Sequence, residues 1–194
     1  IALLVGAFCG MLMSLIHAFA SISLNADQTI SGTGINLIVN GITIFMAQIL
    51  FNADRTQPYQ MGMKPIMSIG GIYPTAFIAL AVVLIVWFVM YKLPFGLRLR
   101  ACGEHPQAAA SVGIKVKKIR YIAVLTSGFL GGLAGGCLVL TQTIQFTSTT
   151  INGTGFIALA AVSFGRWRPA GISLSSLLFG AAVAFSIYVV NIPS

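Results

Sequence analysis

Side chains able to do acid, base, nucleophilic or metal chemistry are few in this sequence, and they are not grouped. The 194 residues include three acidic residues, two histidines and three cysteines. Cys9, Cys102 and Cys137 lack CxxC or metal-ligand spacing, and two of them lie in apolar runs, where cysteine acts as a small hydrophobe. The sequence has no P-loop motif and no catalytic constellation. It therefore predicts neither a disulfide nor a metal site, and no enzyme activity of its own.

The polar side chains that interrupt the apolar runs are neutral. No Asp, Glu, Lys or Arg lies in the middle of such a run, although buried ionisable residues are typical of proton relays and ion-coupled carriers. Amides and hydroxyls favour a neutral solute that forms hydrogen bonds, such as a sugar or nucleoside, with an aromatic ring available for stacking. For any single residue, a hydrogen bond between helices is an equally good explanation. The candidates for a solute pathway are Asn36, Asn40, Gln48, Asn152, Thr154 and Phe156.

The composition explains where these residues must lie. Hydrophobic residues make up 57% of the chain and charged residues only 7%, and the mean hydropathy is +0.95. Soluble domains are about 45–50% apolar and about 25% charged. Because so few charges cannot cover a soluble core of this size, lipid must face most of the surface.

The apolar runs indicate about six membrane spans in one all-α transmembrane domain covering residues 1–194. A span needs roughly 20 apolar helical residues, and the run at 156–164 is too short unless the polar stretch before it also lies at membrane depth. Since the chain opens on Ile1 inside an apolar run, we expect it to be a fragment of a longer protein. The runs cover residues 1–23, 35–51, 73–91, 121–141, 156–164 and 171–190.

The distribution of lysine and arginine gives the orientation. Short cytoplasmic loops retain basic residues, and one orientation places nine of the eleven inside, leaving Arg55 and Lys64 outside. It puts the segment 24–34, the basic segment 92–120 and the GRWRPAG turn in the cytoplasm. Both ends of the chain then face outward.

The basic segment contains a pattern that topology alone does not require. Pro106 suits the first turn of a helix and Gly113 suits its end, which predicts about two helical turns over 107–112. Three alanines give this helix a slim face that can enter a groove on another protein, and neighbouring basic residues can contact acidic side chains or lipid headgroups. The alternative is a solvated basic loop that serves only topology.

Glycine spacing predicts close helix packing. Gly128, Gly132 and Gly136 recur every fourth residue, and Gly6 and Gly10 have the same spacing. Such rows let a second helix approach the backbone, so we interpret them as architecture.

A short internal repeat suggests symmetry. ISGTG at 30–34 and INGTG at 151–155 share four of five residues, and each opens an apolar run. The orientation above puts the two on opposite sides of the membrane. This is typical of inverted repeats, here three spans plus three, with interrupted helices at equivalent positions.

The segment GLRLRACGEHPQAAASVGIKVKKIRYIAVLTSGFLGGLAGG resembles the central signature of ABC-transporter permeases of the branched-chain amino acid, ribose and nucleoside class. ADQTISGTGINLIVNGIT and INGTGFIALAAVSFGRWRPAG look most like the nucleoside and simple-sugar branch. The resemblance spans nearly the entire chain. The sequence departs from many relatives in the two arginines of GRWRPAG.

The resemblance implies a permease subunit of the cell membrane that imports a neutral polar solute. Its partners would be a second permease, a cytoplasmic ATPase that holds ATP and Mg, and an external solute-binding protein, with no cofactor in this chain and no nucleic acid. Residues 96–118 would be the coupling loop. A secondary carrier driven by an ion gradient and a structural scaffold remain alternatives. The residues implied to couple to the ATPase are Arg98, Arg100, Gly103, Glu104, His105, Pro106, Ala108, Ala109, Ala110 and Gly113.

Overall fold

The computed structural model describes residues 2–53, 56, 74–139, 141 and 153–190. These residues form α-helices and one π-helical turn, with no β-strand among them, which confirms the all-α prediction. The helices are α1 (Ala2–Ala18), which continues into a π turn (Phe19–Ser23), α2 (Gln28–Phe51), α3 (Pro74–Lys92), α4 (Pro94–Glu104), α5 (Pro106–Ser111), α6 (Val116–Leu138), α7 (Thr154–Phe164) and α8 (Pro169–Val190).

Five of these helical segments are long and apolar enough to cross a bilayer. They are α1 with its π turn, α2, α3, α6 and α8. The remaining predicted span, the fifth along the chain, is α7. Its 11 residues reach about 16 Å, or roughly half of a 30 Å hydrocarbon layer. The chain is thus a multi-pass membrane protein, and more than half of the large apolar side chains in the described residues are exposed, as contact with lipid or other helices requires.

Two helices, α2 and α6, begin a full turn or more before their apolar runs. The predicted polar hinge at 24–34 is shorter, because α2 begins at Gln28 with Asp27 as its N-cap. The Asp27 carboxylate accepts the amides of Thr29 at 2.7 Å and Ile30 at 3.1 Å, and these bonds hold the pKa of Asp27 below its ordinary value. Likewise α6 begins at Val116, inside the basic segment. For α2 and α6, the apolar run therefore predicts the apolar part of the helix but not the residue at which the helix begins.

The two copies of the five-residue repeat differ in conformation. Gly32 of ISGTG lies inside α2, whereas Gly153 of INGTG precedes α7 in the left-handed region, with φ 82°. Residues 151 and 152 of the second copy lie outside the described residues. The 3+3 inverted repeat stays a prediction, and the short match does not define equivalent helix starts.

The most extensive packing between the described elements joins α1 to α6. The glycine rows of both helices lie at this crossing. A Cβ on Gly10 would fall 2.9 Å from the Gly132 Cα, and one on Gly132 would fall 2.9 Å from the Ala7 Cα. Gly128 faces Ser14 and Gly136 faces Leu3, so all three glycines of the Gly128, Gly132, Gly136 row adjoin α1.

A second helix pair is formed by α7 and α8. A tight turn joins them, in which Arg166 and Trp167 have φ of 52° and 60°. The Ser175 hydroxyl donates to the Ala161 carbonyl at 2.6 Å, and the rings of Phe164 and Phe179 meet edge to face at 5.6 Å. The pair forms a helical hairpin, and α8 also contacts α3.

Candidate functional site

The basic segment forms a small helical unit and not the loop with one helix that the sequence predicts. Its first element, α4, begins with Pro94 at N1 after the extended residue Leu93. Gly96 is buried, and a Cβ there would meet the carbonyl oxygens of Val89 and Met90. A glycine is therefore required where the chain turns sharply from α3 into α4. The signal that could have located α4 is the same as for α5, a proline in the first turn.

The predicted helix at 107–112 is present as α5, Pro106–Ser111. Pro106 occupies the first turn, and His105 supplies no side-chain cap. At the other end the Ile114 amide donates to the Ala109 carbonyl at 3.1 Å, and the Gly113 amide donates to the Ala110 carbonyl at 3.0 Å. With Gly113 at φ 82°, this is a Schellman motif, which needs a residue without a Cβ at that position.

Three buried side chains join α5 to its neighbours. Cys102 of α4, Ala109 of α5 and Ile119 of α6 form one cluster, in which Cys102 is 2% exposed and Ala109 is 4% exposed. Leu99, Ala101, Ile114 and Val116 pack against it. The cluster includes one side chain from each helix, so α4, α5 and the start of α6 pack as one unit. α5 is therefore in direct contact with α6, which is a membrane span.

This packing changes which side chains of α5 can meet a partner. The sequence predicts a contact surface made by all three alanines, but Ala109 faces the inside of the unit. Ala108 and Ala110 are exposed, and Val112 has 74% of its surface exposed. We call the exposed residues Gln107, Ala108, Ala110, Ser111 and Val112 the α5 outer face. Ala109 can act on a partner only by positioning that face.

The charged residues predicted around α5 are exposed. Arg98, Glu104 and His105 lie on or beside α4 with open side chains, as do Lys115, Lys117 and Lys118 at the start of α6. Arg100 is held more firmly, since its guanidinium lies 5.0 Å from the centre of the Tyr91 ring. Gly103 has nothing within 4 Å of a Cβ. We call these exposed basic residues of α4 and the start of α6 the cationic rim, and Glu104 is the acidic residue on the unit.

Two of the three predicted pathway residues on α2, Asn36 and Asn40, form a stripe with three threonines. A helix turns 100° per residue, so Asn36 and Asn40 lie on the same face. The same face carries Thr29, Thr33 and Thr43. Both asparagines are exposed. Thr33 and Thr43 donate to backbone carbonyls one turn back. A polar stripe on a membrane helix needs a polar neighbour or a water-filled cavity.

The remaining pathway candidates do not join this stripe. Gln48 lies on another side of α2 and has an interaction of its own. Thr154 begins α7 and also has a partner, while Phe156 is 77% exposed. Asn152 lies outside the described residues. The main contacts of α2 are with α1 and the π turn, and the main contacts of α7 are with α8. This packing does not place Thr154 and Phe156 beside the α2 stripe.

Two polar pairs lie where α1 and its π turn meet α2 and α6. The His17 Nδ1 lies 3.0 Å from the Ser31 hydroxyl of α2. The Ser23 hydroxyl lies 2.5 Å from the Tyr121 hydroxyl of α6. Neither pair could be predicted from the sequence, because each depends on helices that meet only in the fold.

No group of three or more histidine, cysteine, aspartate or glutamate residues that could hold a metal occurs within the described part of the chain. The unit built on α4 and α5, the glycine crossing and the polar stripe instead fit a helical membrane transport protein. Comparison with known proteins gives the family. The family described as branched-chain amino acid transport system / permease component matches residues 1–194, and the chain belongs to it.

Individual relatives point to particular transporters. The chain is 43% identical over 96% of its length to a guanosine ABC transporter permease protein, NupQ, of Bacillus subtilis (strain 168). It is 40% identical over its whole length to a nucleoside ABC transporter permease protein, NupC, of Lactococcus lactis subsp. cremoris (strain MG1363). A putative glucose ABC transporter permease protein, TsgC13, of Haloferax volcanii is 34% identical over 94% of the chain.

The chain spans 63%, 65% and 59% of the lengths of these three relatives. No solved structure matches it significantly.

Proposed function

We propose that this chain is part of the permease subunit of an ATP-binding cassette importer that carries a nucleoside. The names of NupQ and NupC support a nucleoside as the transported solute. The name of TsgC13 makes a simple sugar the second candidate solute. The uncharged stripe on α2 supports a neutral solute, since Asn36 and Asn40 can donate to and accept from sugar hydroxyls and base edges.

The α5 outer face is the proposed docking surface for a separate cytoplasmic ATPase. The observation that carries this is the cluster of Cys102, Ala109 and Ile119, which fixes α5 to a membrane helix while leaving Ala108 and Val112 exposed. A helix that served only topology would need no such anchor. The cationic rim complements an acidic surface around the groove that receives α5.

Contacts continue from α5 to the stripe. The buried cluster joins α5 to α6, and the glycine crossing joins α6 to α1. The Ser23–Tyr121 pair adds a contact between the π turn and α6, and the His17–Ser31 pair joins α1 to α2. ATP binding on the partner would displace α5, move α6 and α1 as one body, and turn the stripe at the π turn. Coupling between α5 and the stripe requires that each of these contacts transmit the movement. Each contact is therefore tested with a variant of its own.

A second permease subunit and an external solute-binding protein complete the proposed importer. ATP and Mg would be held by the ATPase, and this chain would contribute no catalytic residue. The exposed faces of α2, α3 and α8 are available for the rest of the subunit and for the second permease.

The test uses the full-length permease expressed with its ATPase and solute-binding protein. Ala108→Glu places a carboxylate on the α5 outer face, and Ala26→Glu places one on an exposed alanine of the cytoplasmic turn before α2. We expect Ala108→Glu to lose ATPase co-purification and ATP-driven uptake, with normal membrane abundance, and Ala26→Glu to retain both. Equal co-purification in the two variants would refute docking on α5.

The solute is tested separately with labelled guanosine and competing glucose. Asn36→Leu and Asn40→Leu each remove hydrogen bonds worth about 0.5–1.5 kcal/mol, which corresponds to a rise in KM of roughly two- to twelvefold. Co-purification of the ATPase should stay normal. Competition by glucose but not by nucleosides would reassign the solute class and leave the importer intact.

A further inference from the structure

A groove lies between α3 and α8, and its lining includes none of the residues assigned above to ATPase docking or to the solute pathway. Its volume is about 500 Å³. The hydroxyl of Ser173 in its wall donates to the Pro169 carbonyl at 2.8 Å, so it offers no free hydrogen bond there. The Ser176 hydroxyl also lines the groove, and the other walls are apolar and include Ala79, Val83, Val86, Ile172 and Leu177. A nucleoside or sugar would find few polar partners in such a groove.

The α8 wall of the groove starts at the predicted cytoplasmic end of that helix. α8 has 22 residues, about 33 Å, enough to cross the hydrocarbon layer of about 30 Å. The groove residues of α8 run from Pro169 to Leu177, which is about 12 Å measured from the end next to Arg168. The α8 wall therefore begins at the predicted cytoplasmic surface and ends near the bilayer centre, the depth that one acyl chain occupies. The α3 wall, from Val86 to Ala76, extends further, toward the predicted outer end of α3.

Cationic side chains lie at the surface end of this groove. Arg168 directly precedes the groove residue Pro169, and Arg166 is two residues further away. Both arginines are exposed, and Trp167 between them is 79% exposed. Neither α3 nor α8 carries an acidic residue. The N-terminus of α8 adds positive partial charge at the same place.

The backbone of this turn is unusually constrained. Arg166 and Trp167 both lie in the left-handed region, a conformation that is strained for non-glycine residues and persists where the surroundings enforce it. Here Gly165 and Gly171 touch, because a Cβ on either would meet the backbone of the other. The close contact of α7 and α8 thus fixes the positions from which both arginines extend.

We propose that the α3–α8 groove and the Arg166–Arg168 turn together bind one anionic phospholipid of the cytoplasmic leaflet. The phosphate pairs with the two guanidinium groups, one acyl chain fills the groove, and Trp167 lies at the headgroup level, as tryptophan does at membrane interfaces. Charge complementarity selects the lipid over a neutral one, since basic residues at the cytoplasmic surface attract anionic headgroups. This site is independent of the identity of the transported solute.

The test measures phosphatidylglycerol retained by the full-length permease complex after purification from nanodiscs containing equal amounts of phosphatidylglycerol and phosphatidylcholine. Wild type should retain phosphatidylglycerol in at least fivefold excess. Arg166→Gln with Arg168→Gln should lower this excess toward one, whereas Arg166→Lys with Arg168→Lys should keep most of it.

The groove is tested by a matched pair on α3. Ala79→Phe fills the groove and should halve the retained lipid or more, while Ala81→Phe adds the same ring to an exposed α3 position that does not line the groove. A photocrosslinker at position 79 should label lipid. Crosslinking to protein, whether another segment of the permease or the ATPase, would overturn the proposal, as would unchanged retention in both Ala79→Phe and the double glutamine variant.

Discussion

Gly10 of α1 and Gly132 of α6 lie with their backbones in contact, so that a Cβ on Gly10 would fall 2.9 Å from the Gly132 Cα. Backbone atoms cannot move aside as the end of a flexible side chain can. Every atom added at this crossing must therefore separate the two helices. The same crossing carries motion from α6 to α1 in the proposed mechanism, so its packing and its function are tested together.

Gly132→Ala should destabilise the permease by about 1–3 kcal/mol, the usual effect of overpacking. Gly131→Ala is the matched control, since a Cβ there meets nothing within 4 Å. In a helix interior, alanine is favoured over glycine by up to about 1 kcal/mol, so this variant should be neutral or more stable. Thermal unfolding in detergent compares the two. Equal destabilisation would show that the α1–α6 crossing does not depend on close contact.

Gly113→Ala should loosen the end of α5. An L-residue at φ 82° costs about 1–2 kcal/mol, and the Ile114 amide should then exchange with deuterium more rapidly. Gly103→Ala provides the comparison, because Gly103 is helical with open space around it. If both variants exchange alike, the Schellman motif is not what ends α5.

Ala109→Leu should open the cluster that joins α5 to α6. The thiol of Cys102 is 2% exposed, and overpacking beside it should raise its labelling by a maleimide severalfold. Ala108→Leu adds the same atoms to the exposed side of α5 and should leave Cys102 protected. Faster labelling in Ala108→Leu alone would mean that the two alanines have exchanged roles.

Acid should weaken the start of α2. Hydrogen bonds from the Ile30 and Thr29 amides lower the pKa of Asp27, so its contribution to stability is present above the ordinary aspartate pKa of about 3.9 and is lost as the pH falls through the lower folded value. Asp27→Asn keeps a good cap at neutral pH and should remove this acid dependence, while Asp27→Ala should lose the cap at every pH. Protection of the Thr29 amide from hydrogen exchange, measured between pH 3 and 6, reports both the acid dependence in the wild type and the loss of the cap in Asp27→Ala. An acid response in Asp27→Asn like that of the wild type would assign the effect to another group.

The sequence was sufficient for features that depend on neighbouring residues. Apolar runs located the five spans, and Pro106 with Gly113 located α5. α4 was missed because its charges suggested a loop, although Pro94 carries the same start signal as Pro106. The early start of α2 was missed because Asp27 was interpreted as part of a hinge, when an aspartate before a helix is a favourable cap.

Features that depend on distant residues could not be obtained in this way. Spacing indicates that Gly132 faces a helix but not that the helix is α1. Composition shows that Ala109 is small but not that it faces Cys102. The asparagine stripe on α2 could be placed on one face from its period, yet the partner of that face depends on packing with elements far along the sequence.

The central claim is that the α5 outer face lies in the cytoplasm and docks an ATPase. Its most direct test is the labelling of Val112→Cys by a membrane-impermeant maleimide, in a full-length background with Cys9→Ala, Cys102→Ala and Cys137→Ala. The account predicts labelling in inside-out vesicles stripped of the ATPase, protection when the ATPase is restored, and no labelling in intact cells. Labelling in intact cells, or labelling of inside-out vesicles that the ATPase does not reduce, would contradict it.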